Sequence, residues 1–137
     1  MVGPKRLYIA ESITDLREKI SDRHTYNRSL TFERLQAQYE RKKQEAERYL
    51  TEEGDQELAY IAYCNALEYL DKIGQCQEFL QTPRRVQTKH AQERAECGQF
   101  ECALRIQLED RYEDMKSTNI HVFELCEYGI PTEILRY

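Results

Sequence analysis

"DQELAYIAYCNALEYLDKIGQ", residues 55–75, carries more apolar surface than a helix with one wet side can hide. Drawn at about 100° per residue, Leu58, Ala59, Tyr60, Tyr63, Cys64, Ala66, Leu67, Tyr69, Leu70 and Ile73 spread over an arc of roughly 240°. That leaves mainly Glu57, Asn65, Glu68 and Lys72 for water. One neighbour cannot cover such an arc. The segment therefore reads as the middle helix of an antiparallel bundle, about residues 56–73, flanked by the helix before it and the helix after it. Ala59, Ala62 and Ala66 permit close approach, and the tyrosines bring large apolar area with a hydroxyl that can stay at the wet rim.

The flanking helices follow from the same pattern. Upstream, Phe32, Leu35, Tyr39, Ala46, Tyr49 and Leu50 fall within about 100° of one another, an ordinary amphipathic helix over 31–51 with Ser29 or Thr31 as its cap. Lys42 and Lys43 flank that stripe, stems packed and ammonium groups in water. Gly54 is placed to end this helix and Asp55 to cap the next. Downstream, residues 74–82 form a connector with a helical turn at Phe79 and Leu80, and Thr82-Pro83 opens the last helix. Running from 83 to about 115, it is roughly 50 Å long against about 30 Å for its neighbours, so it overhangs them. Its core seam is Val86, His90, Cys97, Leu104, Leu108 and Met115, with Phe100 and Tyr112 at the margins. Ala91, Ala95, Cys102 and Ile106 make a second face about 150° away. Gly98 is its weak point.

Before the bundle, the apolar run Leu7-Tyr8-Ile9 precedes Ser12 and Asp15, an N-cap with its acidic partner three residues on. Ile13, Leu16 and Ile20 then define a short helix over 13–20, supported by the Asp15–Lys19 pair. A helix this short needs a surface to lie on. Residues 21–28 are polar and turn-prone. The expected organisation is an arm at 1–28 that is a candidate dimer contact, a helical bundle at 29–116, and a tail at 117–137, broken by Gly129 and Pro131, that either docks on the overhang or is disordered.

The net charge of −5 arises from 25 acidic and 20 basic residues, interleaved rather than blocked. No basic stripe offers itself to phosphate, which argues against nucleic acid as a partner. Five cysteines, without C-x-x-C spacing or an N-terminal apolar h-region, point to a reducing cytoplasmic setting. No apolar run approaches the ~18 residues of a membrane span, so no direct insertion is expected. Cys97 and Cys102, five apart, point about 140° away from each other and share no metal. No Gly-rich phosphate loop appears, and neither metal nor cofactor is expected. A nucleophilic thiol needs a nearby base. Only His121 lies close to a cysteine in sequence, Cys126, and a cysteine-dependent enzyme built on that pair is the one catalytic alternative to a non-enzymatic reading. His24 sits in a loop and His90 on the core seam.

Two blocks carry a resemblance. "KRLYIAESITDLREKI" resembles the opening of the N-terminal domain of UBPY-type ubiquitin-specific proteases, where a Leu-Tyr-aliphatic run precedes a Ser-rich cap and an Asp-Leu helix. "GDQELAYIAYCNALEYLDKIGQCQEF" is similar to the same domain through its acidic start, Ala59-Tyr60, Tyr63, Tyr69-Leu70 and Phe79, and "ALRIQLEDRYE" agrees loosely with the end of its long helix. That domain is related to the MIT (microtubule interacting and trafficking) bundle, found also at the N-terminus of the AMSH endosomal deubiquitinase. The resemblance implies an all-α, antiparallel three-helix MIT-like bundle with an extra short N-terminal helix and a long last helix. It implies a module that homodimerises and binds C-terminal tail helices of ESCRT-III subunits, the charged multivesicular body proteins, holding a ubiquitin protease at endosomes from the cytoplasmic side. The protease's catalytic domain is not in this sequence. The loop at 21–30 and the tail after Lys116 depart from the family's pattern.

Bundle geometry and resemblance meet on the long helix, whose second face invites another helix: the chain's own 13–20, that segment of a second copy, or a foreign amphipathic tail. The candidate partner or dimer contacts are Leu7, Tyr8, Ile9 and Leu16 on the arm, Tyr63 and Leu67 on the middle helix, and Ala91, Ala95, Cys102 and Ile106 on the last helix. Glu96 and Glu109 are candidate acceptors for basic residues of a tail helix. Two other binding-class readings stand beside this one: a generic helical peptide-binding adaptor, because Ala/Tyr-rich antiparallel helices also resemble tetratricopeptide units, and a purely structural oligomerisation domain.

Overall fold

The computed structural model describes residues 4–23 and 30–127. Five α-helices follow in order: α1 (Ile13–Arg23), α2 (Phe32–Arg48), α3 (Gln56–Gln75), α4 (Gln77–Leu80) and α5 (Arg84–Glu127). There is no strand among the described residues. The architecture is an all-α bundle with a short leading helix and a long last one.

Capping chemistry sets the boundaries. Thr31 accepts the Arg34 amide at 3.3 Å on its hydroxyl oxygen, while Ser29 lies outside the described residues. Asp55 caps α3 by accepting the Leu58 amide at 3.0 Å, as its position after a glycine predicts. Gly54 adopts φ 63°, the left-handed conformation that glycine enters without a Cβ penalty. Between α2 and that glycine the chain makes a π-helical turn, Tyr49–Glu53. Periodicity cannot announce it. The Thr51 hydroxyl donates to the Glu47 carbonyl at 2.7 Å, occupying an acceptor of the α ladder where the wider turn begins.

α3 is the central element, packed most extensively on α2 and next on α5. It runs antiparallel to both. Ties between α3 and α5 progress in opposite directions, from Leu70 with His90 (2.8 Å), through Tyr60 with Glu101 (3.0 Å), to Glu57 with Tyr112 (2.6 Å). α2 and α5 therefore run parallel, and meet where the Tyr39 hydroxyl approaches the Cys97 sulfur at 3.9 Å. Tyr60, Tyr63, Leu70, Leu108, Tyr112 and Leu16 are fully buried at the centre.

The predicted seams hold on α2 and α5: Leu35, Tyr39 and Ala46, and Cys97, Leu104, Leu108 and Tyr112, are all buried, with Val86, His90 and Met115 half-buried. On α3 the expectation needs correction. Glu57 and Asn65, assigned above to water, are 1 % and 5 % exposed. Here α1 and the arm roof the Glu57 side and α2 covers Asn65, so α3 is enclosed from a third direction that a two-neighbour bundle lacks. Asn65 Oδ1 finds no hydrogen-bond partner among the described residues.

α5 is also longer than its apolar pattern suggests, continuing from the expected end near 115 to Glu127. No Gly or Pro interrupts the sequence between Gly98 and Gly129, and helix passes through Gly98 itself. The expected tail thus begins as helix. Its last part, 128–137, and the loop at 24–29 lie outside the described residues.

Candidate interaction surface

The arm is held at the N-terminal end of α3 by two buried carboxylates. Glu57 accepts three consecutive amides, those of Tyr8 (2.7 Å), Ile9 (3.0 Å) and Ala10 (3.1 Å), and the Tyr112 hydroxyl at 2.6 Å. Asp55 accepts the Tyr8 hydroxyl at 2.6 Å in addition to capping α3. Both acids sit in the first turn region, where free backbone N–H groups and the helix dipole favour negative charge. Burial, and then the bond to Glu57, push the Tyr112 hydroxyl well above the ordinary phenol range. Burial first, followed by the bond to Asp55, raises Tyr8 to about 12. Leu7 and Ile9, expected as partner contacts, are half-buried against their own chain, whereas the Tyr8 ring is 56 % exposed.

From the arm α1 enters with Ser12 as its cap: the Asp15 amide donates to Ser12 Oγ and the Asp15 carboxylate accepts the Glu11 amide, both at 3.0 Å. The helix lies against α3 and α5. Leu16 is driven completely into the core between them. Beside it Arg17 donates to the Tyr60 hydroxyl (3.1 Å), Tyr60 donates to Glu101 (3.0 Å), and Arg17 and Arg105 lie 3.6 and 3.8 Å from that carboxylate. Of the three helices that α5 could recruit, the chain's own 13–20 thus occupies the α3/α5 groove.

It does not cover the second face of α5, which its start approaches only at Glu109, across a cavity shared with Ser12, Ile13 and Thr14. Ala91, Ala95, Glu96 and Glu109 are exposed, Ile106 is 54 % exposed, and Cys102 is half-buried with the Arg105 guanidinium donating to its sulfur at 3.6 Å. Gly98 joins this face by the same angular count, and a Cβ there would meet nothing within 4 Å. Tyr63 and Leu67 do not join it as one surface. Tyr63 is buried and stacks on Phe100, ring centroids 5.2 Å apart and planes 7° from parallel, and Phe100 lies about 180° around α5 from Ala91 by helical geometry. Leu67 is half-buried on α3. Sequence reasoning put Phe100 only at the margin of the core and missed the acid pair Asp55/Glu57. The signal for that pair was present: an apolar, non-helical "LYIA" run has backbone donors that need acceptors.

The chemistry available elsewhere is that of packing. The His90 ring nitrogen is 2.8 Å from the Leu70 carbonyl and its ring is 4.6 Å from that of Phe79, in the wall of a cavity of about 370 Å³ between α2 and α5. Burial raises the Cys64 thiol to about 11 and pushes Cys97 and Cys76 upward as well, which disfavours the thiolate form that acts as nucleophile. Cys126, His24 and His121 fall outside the described side chains. No group of three or more metal-ligating side chains assembles among the described residues, and no described helix is long and apolar enough to cross a membrane.

A helical bundle with a self-covered groove on one side of its long helix and an open apolar face on another is the build of a protein-interaction module. The chain matches the USP8 dimerisation domain over residues 2–115 and belongs to that family. No curated protein and no solved structure matches it. The matched segment ends at Met115, the last α5 residue that packs against the described core. Family membership makes this a non-catalytic dimerisation module and implies a homodimer.

Proposed function

We propose that this module dimerises through the open face of α5 and recruits a ubiquitin-specific protease to ESCRT-III tail helices on the cytoplasmic side of endosomes. The observation that carries the dimer contact is Ile106, more than half exposed on a face otherwise built of Ala91, Ala95 and Cys102. Small residues let a second helix approach closely, and a bulky aliphatic side chain among them gains apolar burial when it does so. Around a two-fold axis the same patch serves both copies. Leu7, Tyr8 and Ile9 at the arm's edge are the other part of the chain offered to a partner.

For the tail helix, support comes from Glu109, which shares a cavity of about 440 Å³ with Ser12, Ile13, Thr14 and Glu113. Carboxylates beside a concave, partly apolar surface suit the basic residues of an amphipathic helix. Glu96 is exposed elsewhere on α5 and offers a second acceptor.

Light scattering tests the dimer. The wild-type chain is expected at twice its 16.4 kDa mass, with Ile106→Glu shifting it to monomer; a variant that stays dimeric removes the α5 face from the interface. Fluorescence anisotropy with labelled ESCRT-III tail peptides tests the recruitment, Glu109→Lys being expected to weaken binding several-fold. A dimer without peptide affinity leaves oligomerisation as the whole function.

A further inference from the structure

Of the tyrosines in the described residues, Tyr39, Tyr60, Tyr63, Tyr69 and Tyr112 are buried in helices and Tyr49 is half-buried. Tyr8 alone among them is exposed, and it stands on non-helical backbone, the form that an enzyme acting on a peptide can take up. Its surroundings are sharply unbalanced. The hydroxyl donates to Asp55 at 2.6 Å, its own amide donates to Glu57, and Glu53 adds to the negative field. Of these acids Glu53 is paired with Arg48 at 3.2 Å, and the cation beside Tyr8 and Asp55 is Lys5, its Nζ 5.0 Å from the ring centroid and 3.8 Å from Asp55.

We propose that Tyr8 is a phosphorylation site whose modification lifts the arm and α1 off the α3/α5 groove. The reaction is that of an ATP-dependent protein tyrosine kinase. Tyr8 Oη forms a bond to the γ-phosphorus of ATP as the bond from that phosphorus to the departing ADP oxygen breaks, and the phenolic proton passes to the kinase's base. The product has lost the donor that Asp55 accepts and carries close to two negative charges, set beside two carboxylates that are almost wholly inaccessible to water. Like charges at such short range in a low-dielectric setting repel strongly. Residues 8–10 hang from Glu57 by the adjoining amides, so displacing Tyr8 strains all three bonds together, and α1 follows directly after Ser12. The tyrosine's raised pKa, about 12, reflects the same hostility of the site to negative charge on this oxygen. The switch does not depend on what the uncovered groove binds.

Hydrogen exchange on three forms of the whole chain decides it: unmodified, Tyr8→Phe, and phosphotyrosine incorporated at position 8. The Phe form measures loss of the hydroxyl alone. We expect the amides of Ile9, Ala10 and residues 13–20 to exchange at least about tenfold faster in the phosphorylated form than in Tyr8→Phe, with phosphatase treatment restoring protection. Exchange in the phosphorylated form no faster than in Tyr8→Phe overturns the switch. Treating the unmodified chain with purified tyrosine kinases and ATP tests the site: phosphate mapped to Tyr8 supports it, and phosphate confined to other tyrosines overturns it.

Discussion

Glu57 accepts more hydrogen bonds than any other side chain described, three amides and one hydroxyl. It is an ion in the interior, tolerated because every donor around it points inward and the first turn of α3 supplies a favourable field. Replacing it with glutamine removes the charge and turns an NH₂ toward amide donors. Glu57→Gln is expected to destabilise the chain by about 3 kcal/mol, read as a shift in the chemical denaturation midpoint, and to detach residues 8–10. Gly98 shows the opposite case. Its helix position gives no reason for glycine inside the protomer, and a Cβ meets nothing within 4 Å, so Gly98→Ala should stabilise by about 1 kcal/mol through helix propensity alone. Thermal unfolding of the Ile106→Glu background, freed of the proposed dimer contact, checks that value.

At the scale of elements, α1 is eleven residues long, too short to persist by itself in water. Its helicity is a consequence of docking. Leu16 is the anchor, and the Arg17, Tyr60, Glu101 and Arg105 cluster aligns it. Leu16→Ala should cost about 3 kcal/mol and raise hydrogen exchange across 13–20. Arg17→Ala, with half its side chain in solvent, should cost under about 1 kcal/mol. Isotope-resolved exchange distinguishes the two. α5 is the contrasting element: 44 residues, continuous because nothing breaks it, and supported by the core over only part of its length.

For the whole molecule, the direction of the pKa shifts predicts how it fails. Tyr8 and Tyr63 are raised to about 12 and Cys64 to about 11, while Tyr39, Tyr60 and Tyr112 are shifted further in the same direction, chiefly by burial. Each group holds its proton more tightly folded than unfolded. Their contribution is therefore complete below the unfolded values, about 9 for the thiol and about 10 for the phenols, and is lost as pH rises toward the folded ones. Stability should fall steeply between about pH 9 and 12, with the ionisation of these particular tyrosines and the loss of helical circular dichroism falling in one transition. Ionisation of Tyr39, Tyr60 or Tyr112, assigned by Phe substitution, well before helix loss would show that these hydroxyls are not held by the fold.

The helices, their caps at Thr31 and Asp55, the left-handed Gly54 and the seams of α2 and α5 were legible in the sequence, because spacing and capping act within a few residues and need no knowledge of what lies across the core. The all-round apolar surface of residues 56–73 required neighbours on more than one side without naming them. Only the tertiary structure decided that the third neighbour is the chain's own arm, that Glu57 and Asn65 turn inward, that Leu16 belongs to the core, and that Tyr63 meets Phe100 rather than the small-residue face. Each of these outcomes depends on contacts between residues on different elements, from about twenty to more than fifty positions apart, and a local pattern carries no term for a hydrogen bond or a packing contact at such distances.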